Sequence, residues 1–600
     1  MREKPISATW GARCLILTVL LASAVLAYGR SSKLSPDLQT RVDPAKPNAT
    51  VDIIVQYVNK PGDTQFAKVL KKNGVIKNHL DVVNGAAFTV PVSSLSDFES
   101  DPEVAHVSPD RPLRGAAAAT SPMMPVGPTT PVSPITLDYY YATVNANAAW
   151  QQGYDGTGIG VAVIDSGIVN VPDLRNGGTT RVVYAQDFVT GGSAVDLYGH
   201  GTHVAGIIGG NGTDSTGSNY SYTFKGIAPN VSLVNLRVLD QNGVGTDSSV
   251  IAAINQAINL QSQYNIRVIN LSLGRQVYES YTVDPLCQAV EKAWQAGIVV
   301  VVAAGNEGRD NLANTNGYGT IAAPANDPYV ITVGAMKTMG TPQRTDDLIA
   351  TYSSKGPTAF DLIVKPDIVA PGNQINSLYK AGLTLPTLYP GNEVPYSLYE
   401  YRQPSYAYLS PYYYNLSGTS MAAPMVSGAA ALMLQQTPTL TPDQVKARLM
   451  KTAYKTFPAY STYTDPTTGI SYTSQYDIFT VGAGYLDVQA ALASTDLAPA
   501  IPGIAMSPAV AIDANGNVYM VTGSSVLWGS SVLWGSSVVW GSSVIWGSSV
   551  SGESVLWGSS VCWGSSTTQG YSVLWGSSVL WGSSIFDIGE ANSLAINGEN

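Results

Sequence analysis

Basic residues stop at Lys455: no Lys or Arg follows it in the 600-residue sequence. Charge is sparse throughout, at 12% of residues, with 32 Lys+Arg against 42 Asp+Glu. The first 114 residues carry 14 basic and 11 acidic side chains, the remainder 18 and 31. A phosphate-binding surface needs clustered cations, so this balance argues against nucleic acid and against an anionic membrane surface as partners. Cysteine is nearly absent, with only Cys14, Cys287 and Cys562, which excludes a disulfide framework. Cys287 lies in a helical stretch and reads as a buried thiol, with a bridge to Cys562 as the alternative. There are four histidines, and beyond residue 114 only His200 and His203. Gly and Pro are abundant but not periodic, so a collagen-like chain is excluded. A hydrophobic content of 45% excludes wholesale disorder, and the length predicts several domains.

Arg2, Lys4 and Arg13 precede an apolar run from Cys14 to Tyr28 that ends among small residues. This is the pattern of a secretory signal peptide over residues 1–29, with an uncleaved anchor as the alternative. Residues 30–113 contain a small α+β unit: strands at Val51–Val55 and Ala86–Val90, a helix over Ser93–Asp101 and a closing strand at Val104–Val107. An Ala-, Pro-, Ser- and Thr-rich linker follows at 114–134. From 135 to 495 nearly continuous apolar strands (Ile159–Ile164, Val231–Val238, Val268–Leu273, Ile298–Ala303, Val330–Val333) alternate with helical stretches (Ser249–Ser262, Leu286–Gln295). That rhythm predicts an α/β fold with a mainly parallel central sheet between helices. Residues 496–600 contain Ser-Ser-Val-Leu-Trp-Gly repeats that hold eight of the 11 Trp. The period of six is even, so an extended repeat keeps Val and Trp on one face. A β-solenoid, a β-ribbon and a low-complexity tail all fit.

Both histidines of the α/β region fall in Gly199-His200-Gly201-Thr202-His203-Val204-Ala205-Gly206. A zinc helix would place Glu between its two histidines, and none is present. A structural histidine and a general base at a helix start remain. Val161-Ala162-Val163-Ile164-Asp165-Ser166-Gly167 puts Asp165 at the carboxyl end of a buried strand, where ligands bind in open α/β sheets. A carboxylate there orients an imidazole and stabilises its protonated form. Leu416-Ser417-Gly418-Thr419-Ser420-Met421-Ala422-Ala423-Pro424 sets Ser420 between a glycine turn and a helix, which favours a nucleophile and developing negative charge. Ala303-Ala304-Gly305-Asn306-Glu307-Gly308 ends another buried strand, with the Asn306 amide placed to donate to an oxyanion. Taken singly, each segment is also an ordinary cap or turn. Gly156-Thr157-Gly158-Ile159-Gly160 precedes its strand rather than following it, so it is a turn and not a dinucleotide fingerprint.

Together, in the order Asp165, His200, Ser420, and with Ala-Ala-Gly-Asn ending at Asn306, these motifs resemble the subtilisin-like serine proteases over roughly Ile135–Leu492. The resemblance implies a three-layer subtilisin-like fold and an Asp-His-Ser triad with an Asn oxyanion donor. It implies a secreted endopeptidase that needs no cofactor for its chemistry. Ser272-Leu273-Gly274 and Gly243-Val244-Gly245 match the family's two strands that pair with substrate backbone. Ala322, in Ala322-Ala323-Pro324, matches the floor of the main specificity pocket, where a small uncharged residue suits large apolar side chains. Residues 30–113 resemble the family's inhibitory propeptide, acting as an intramolecular partner, with a first self-cut expected between Asp110 and Thr130.

Structural calcium is common in the family, yet only Asp173 matches a ligand position, and the loop Asn211–Tyr222 departs from the family's calcium loop. An insertion between Ile375 and Asn415, with ten Tyr from Tyr379 to Tyr414, either walls the cleft or packs on the surface. The repeat tail is expected to serve surface attachment or self-association. Two other classes stay in view: a non-catalytic scaffold, and an esterase, whose Gly-x-Ser-x-Gly elbow is broken by Ala422.

Overall fold

The computed structural model describes residues 32–41, 49–115, 135–310, 315–401, 408–466 and 468–512, with short strand segments between 518 and 563 and residue 599. The signal-peptide and most of the linker expectations lie outside these residues.

Alternation along one strand shows how the first unit is built. In β1 (Thr50–Tyr57), Ile53 and Val55 point into a local core with Phe88, Leu95, Phe98, Val104 and Val107. Ile54, on the opposite face, joins the main core of the chain together with Leu80, Val83 and Ala87. Period-two geometry therefore gives this sheet two buried faces, one of them against the larger body. Helix α1 (Asp63–Leu70), β2 (Val75–Leu80), β3 (Gly85–Pro91), α2 (Leu95–Ser100) and β4 (Val104–Pro109) complete it in the antiparallel order β2–β3–β1–β4. Neither α1 nor β2 is marked by the sequence pattern. In β2 exposed and half-buried residues alternate at a sheet edge up to buried Leu80, and its polar members hide the strand signal. β5 (Pro112–Gly115) then leaves this unit, so Arg114 and Gly115 belong to a strand rather than to the linker.

The larger body is an eight-stranded sheet. Its strands are β6 (Gly160–Asp165), β7 (Val182–Asp187), β8 (Ser232–Arg237), β10 (Ile266–Leu271), β12 (Val299–Ala303), β13 (Ile331–Lys337), β14 (Leu348–Ile349) and β15 (Ile368–Pro371). Their order is β14–β13–β12–β10–β6–β8–β7, with β15 also on β13; every pairing is parallel except β13 with β14. β6 and β12 are buried along their whole length, as parallel strands covered on both faces must be. The numbering gaps belong to two short strands outside this sheet, β9 (Val244–Thr246) and β11 (Leu273–Gly274), which flank β5.

Helices cover the sheet and give three layers. Helix α3 (His200–Gly209) packs on α6 (Thr419–Gln436), and α6 lies over β10, β12 and β13. α6 is mostly apolar and almost wholly buried, rich in Ala, with Gly428 so close to Ile227 that a Cβ there would stand 2.6 Å from the Ile227 Cβ. α4 (Asp247–Asn259) and α5 (Pro285–Gln295) pack together, and α4 also meets β2 of the first unit. Both have strong starts: Thr246 accepts from the Ser249 N–H, and Asp284 accepts from the Leu286 N–H ahead of Pro285.

Much of the Tyr-rich insertion is core. Its strands β16 (Ile375–Leu378), β17 (Glu393–Pro395) and β18 (Leu409–Leu416) pair antiparallel in the order β16–β18–β17. Tyr399, Tyr413 and Tyr414 are fully buried. Cys287 is a free, buried thiol in α5 whose Sγ donates to Asn326 Oδ1 at 3.3 Å. In the tail, neighbouring repeats pair antiparallel, Val526–Trp528 with Val532–Trp534 and Val555–Trp557 with Val561–Trp563.

Candidate active site

Three elements converge at one end of the sheet. Asp165 closes β6, His200 opens α3 and Ser420 lies in the first turn of α6, all fully buried. Gly201 allows the convergence: a Cβ there would sit 2.2 Å from the Gly167 carbonyl oxygen, so only glycine lets α3 approach the β6 loop this closely. His200 Nδ1–H donates to Asp165 Oδ1 at 2.8 Å and Oδ2 at 3.0 Å, which leaves Nε2 as the basic nitrogen. Asp196 fastens the same corner. Its carboxylate accepts from the N–H groups of Tyr198, Gly199 and Thr202 and from the hydroxyls of Ser166 and Thr202. No motif marked Asp196 in the sequence; its role is visible only when β6 and α3 are brought together.

The two histidines are separated by their surroundings. Burial alone would lower the His200 pKa, but the Asp165 charge and hydrogen bond, with a smaller contribution from Asp196, outweigh it and raise the pKa above the ordinary value of 6.5. His203 is pushed down to about 3, mainly by burial. As a neutral ring it donates Nε2–H to the carbonyls of Tyr414 (2.9 Å) and Ile375 (3.1 Å). His203 therefore ties α3 to the Tyr-rich sheet, which is the structural role the sequence had left open between the two.

Ser420 is positioned through Pro424. A proline four residues on has no N–H to give the Ser420 carbonyl. That oxygen instead accepts from Ser272 Oγ at 2.8 Å. The Ser420 hydroxyl in turn donates to the Ser272 carbonyl at 2.9 Å rather than to His200, whose Nε2 is buried without a hydrogen-bond partner among the described residues. Gly418 precedes the helix at φ +136°, a conformation that suits glycine. Asn306 Oδ1 accepts from the Thr419 N–H (2.9 Å) and hydroxyl (3.0 Å), which fixes the orientation of its amide beside Gly418.

The flanking segments hold a strand of the chain itself. β5 lies between β9 and β11, with Leu113 opposite Gly245, Arg114 opposite Val244 and Gly274, and Gly115 opposite Leu273. The Gly115 N–H donates to the Gly243 carbonyl at 3.1 Å. A Cβ on Gly115 would stand 3.6 Å from His200 Nδ1. Upstream, Asp110 accepts from the N–H and hydroxyl of Ser248 at the start of α4, and buried Arg111 pairs with Asp37 and Glu279. Ala322 sits between the backbones of Gly274 and Gly305; Cβ atoms built on them would lie 3.1 and 3.3 Å from its own.

Asp173, the one position that resembles a family calcium ligand, ties two distant segments to its own loop. Its two carboxylate oxygens accept from the Asp214 N–H at 2.7 Å and the Tyr413 hydroxyl at 2.8 Å. Among the described residues no three His, Cys, Asp or Glu side chains gather as a metal site, and no helix is long and apolar enough to cross a membrane.

Comparison with known proteins fits this arrangement. The subtilase family matches residues 156–484. The serine protease AprX of Bacillus subtilis (strain 168) is 39% identical over 308 residues, which is 50% of this chain and 62% of AprX, under two thirds of that relative's length. Subtilisin E of the same organism is 34% identical over 387 residues, 64% of this chain and 79% of the relative. The crystal structure of fervidolysin from Fervidobacterium pennivorans, described as a keratinolytic enzyme related to subtilisin, aligns with a TM-score of 0.53 at 21% identity. The alignment covers 82% of this chain and 67% of that one, and it shows a shared fold. The chain belongs to the subtilase family of serine-type endopeptidases.

Proposed function

We propose that this chain is a secreted serine endopeptidase made as a self-processing precursor. Ser420 is the nucleophile, His200 the base that takes and returns its proton, and Asp165 the group that orients His200 and stabilises its charged form. The Asn306 amide, with the Ser420 N–H at the start of α6, holds the developing oxyanion. In the described form the Ser420 hydroxyl rests on the Ser272 carbonyl; rotation about its Cα–Cβ bond is the step that brings it to His200 Nε2.

The observation that carries this reading is β5. Residues 112–115 run antiparallel between Val244–Thr246 and Leu273–Gly274, with Gly115 beside His200, as a substrate strand would. Residues 30–113 are then the propeptide, and the first cut falls beyond Gly115, within the window that ends at Thr130. After that cut β5 stays as a product-like inhibitor. Ala322 and its glycine neighbours form the floor of a pocket for large apolar side chains. The charge balance leaves protein and peptide substrates, not nucleic acid, as partners.

A fluorophosphonate label tests the reading. It is expected to attach to Ser420 in the processed protein, alongside casein turnover; absence of label and turnover from processed, folded protein overturns it.

A further inference from the structure

Glu599 lies beyond the repeat region, yet its side chain is fully buried in the catalytic body. Oε1 pairs with Arg309 Nη2 at 2.9 Å and accepts from the Thr351 N–H at 3.0 Å and from the Thr351 hydroxyl. Oε2 pairs with Lys337 Nζ at 3.1 Å. The backbone of the same residue is read as well. Its N–H donates to Asn373 Oδ1 at 2.8 Å, and its carbonyl accepts from Asn373 Nδ2 at 2.8 Å and from Gln374 Nε2 at 3.3 Å.

Residues of the catalytic body line the pocket around Glu599. Arg309 and Lys337 are both nearly buried, at 6% and 3% exposure. Tyr472 and Tyr463 of the hairpin β19 (Tyr460–Thr464) and β20 (Ser471–Gln475) wall the cations, with Arg309 4.3 Å from the Tyr472 ring centroid and Lys337 4.4 Å from that of Tyr463. Asp465 also pairs with Arg309 at 2.7 Å. Two cations held in low dielectric make a strong site for one more carboxylate. The tail has no Lys or Arg of its own to satisfy an acid, since none follows Lys455.

We propose that this pocket is a docking site for the chain's own distal segment, which it recognises by one glutamate side chain and one peptide unit. The catalytic body thereby holds the chain on both sides of the repeats, covalently at Ile512 and by docking at Glu599. The pocket adjoins the catalytic machinery. Arg309 is three residues past Asn306. Asn373 lies between Gly372, whose carbonyl accepts from the Gly418 N–H, and Gln374, whose N–H donates to the Ser417 hydroxyl. Docking thus braces the two loops that carry the oxyanion donor and the nucleophile.

Amide hydrogen exchange on the full chain tests the proposal, in a Ser420→Ala background that removes self-digestion. Glu599→Ala is expected to speed exchange at Thr351 by about tenfold or more while amides of β6 stay protected, because the Thr351 N–H loses its acceptor. Arg309→Gln is expected to speed it as well, and the double variant to fall short of the product of the two single effects, since the Arg309–Glu599 contact is lost in both. Glu599→Gln, which keeps the shape and removes the charge, is expected to fall between. Unchanged Thr351 exchange in Glu599→Ala overturns the proposal. So does an additive double variant, or acceleration that spreads equally to β6, which would make Glu599 part of the folding core.

Discussion

Ser272 and Ser420 exchange two hydrogen bonds, each hydroxyl donating to the other's carbonyl at 2.8 and 2.9 Å. The exchange exists because Pro424 leaves the Ser420 carbonyl without its usual helical donor. It anchors α6 to the end of β10 and holds the Ser420 side chain in a defined rotamer. Ser272→Ala removes one of the two bonds and leaves a buried carbonyl short of a donor. We expect a loss of about 1–3 kcal/mol in stability, measured by urea denaturation of the Ser420→Ala chain. An unchanged midpoint would mean that the Ser272 hydroxyl contributes nothing there.

The pH profile follows from the His200 environment. As a base His200 must be neutral, and its pKa is raised above 6.5 because the Asp165 charge and hydrogen bond exceed the opposing effect of burial. Activity is therefore expected to rise with pH through a midpoint above 6.5. The sign for stability is the reverse. The protonated pair stabilises the fold fully below the unfolded histidine pKa of about 6.5, and that contribution is lost as pH rises through the raised folded value. Asp165→Asn should move the activity midpoint down and lower turnover by about 10,000-fold. His203, pushed down to about 3, stays neutral throughout and adds no inflection. A wild-type midpoint below 6.5 contradicts this assignment.

Asn306→Leu removes one oxyanion donor and keeps a side chain of similar size. Turnover is expected to fall about 100–1,000-fold, the loss that removal of such a donor causes in a subtilisin, with little change in KM. Steady-state kinetics on a peptide substrate checks it; full activity would remove Asn306 from the site.

Selectivity should follow Ala322. Cleavage is expected after Leu, Phe, Tyr or Met, and a peptide-library profile dominated by Lys or Arg at that position would refute the pocket. Ala322→Asp, which puts a carboxylate between Gly274 and Gly305, should shift the preference towards basic residues.

The sequence made legible whatever is written in neighbouring residues. Apolar runs marked the buried strands, and Asp165, His200, Asn306 and Ser420 each stand at the end of a strand or the start of a helix, within a short motif. Interactions that join distant segments left no such trace. Asp196 is an ordinary loop acid until Ser166 and Thr202 close around it. The Tyr-rich insertion gave no period, because its rings pack in clusters, such as Tyr413 at 4.5 Å from Phe224, rather than along one face. Tyr413 also donates to the Asp173 carboxylate, a contact across 240 residues that no local pattern announces. Arg309 and Glu599 lie 290 residues apart, and no periodicity joins them.

Self-cleavage is the central claim, and the full chain carrying Ser420→Ala tests it most directly. Expressed without other proteases and examined by intact mass, it should accumulate as one uncut precursor beginning near Arg30. The unsubstituted chain should yield a fragment whose new N-terminus lies between residue 116 and Thr130. Cleavage of the Ser420→Ala chain in that window, at the rate seen without the substitution, would contradict the account.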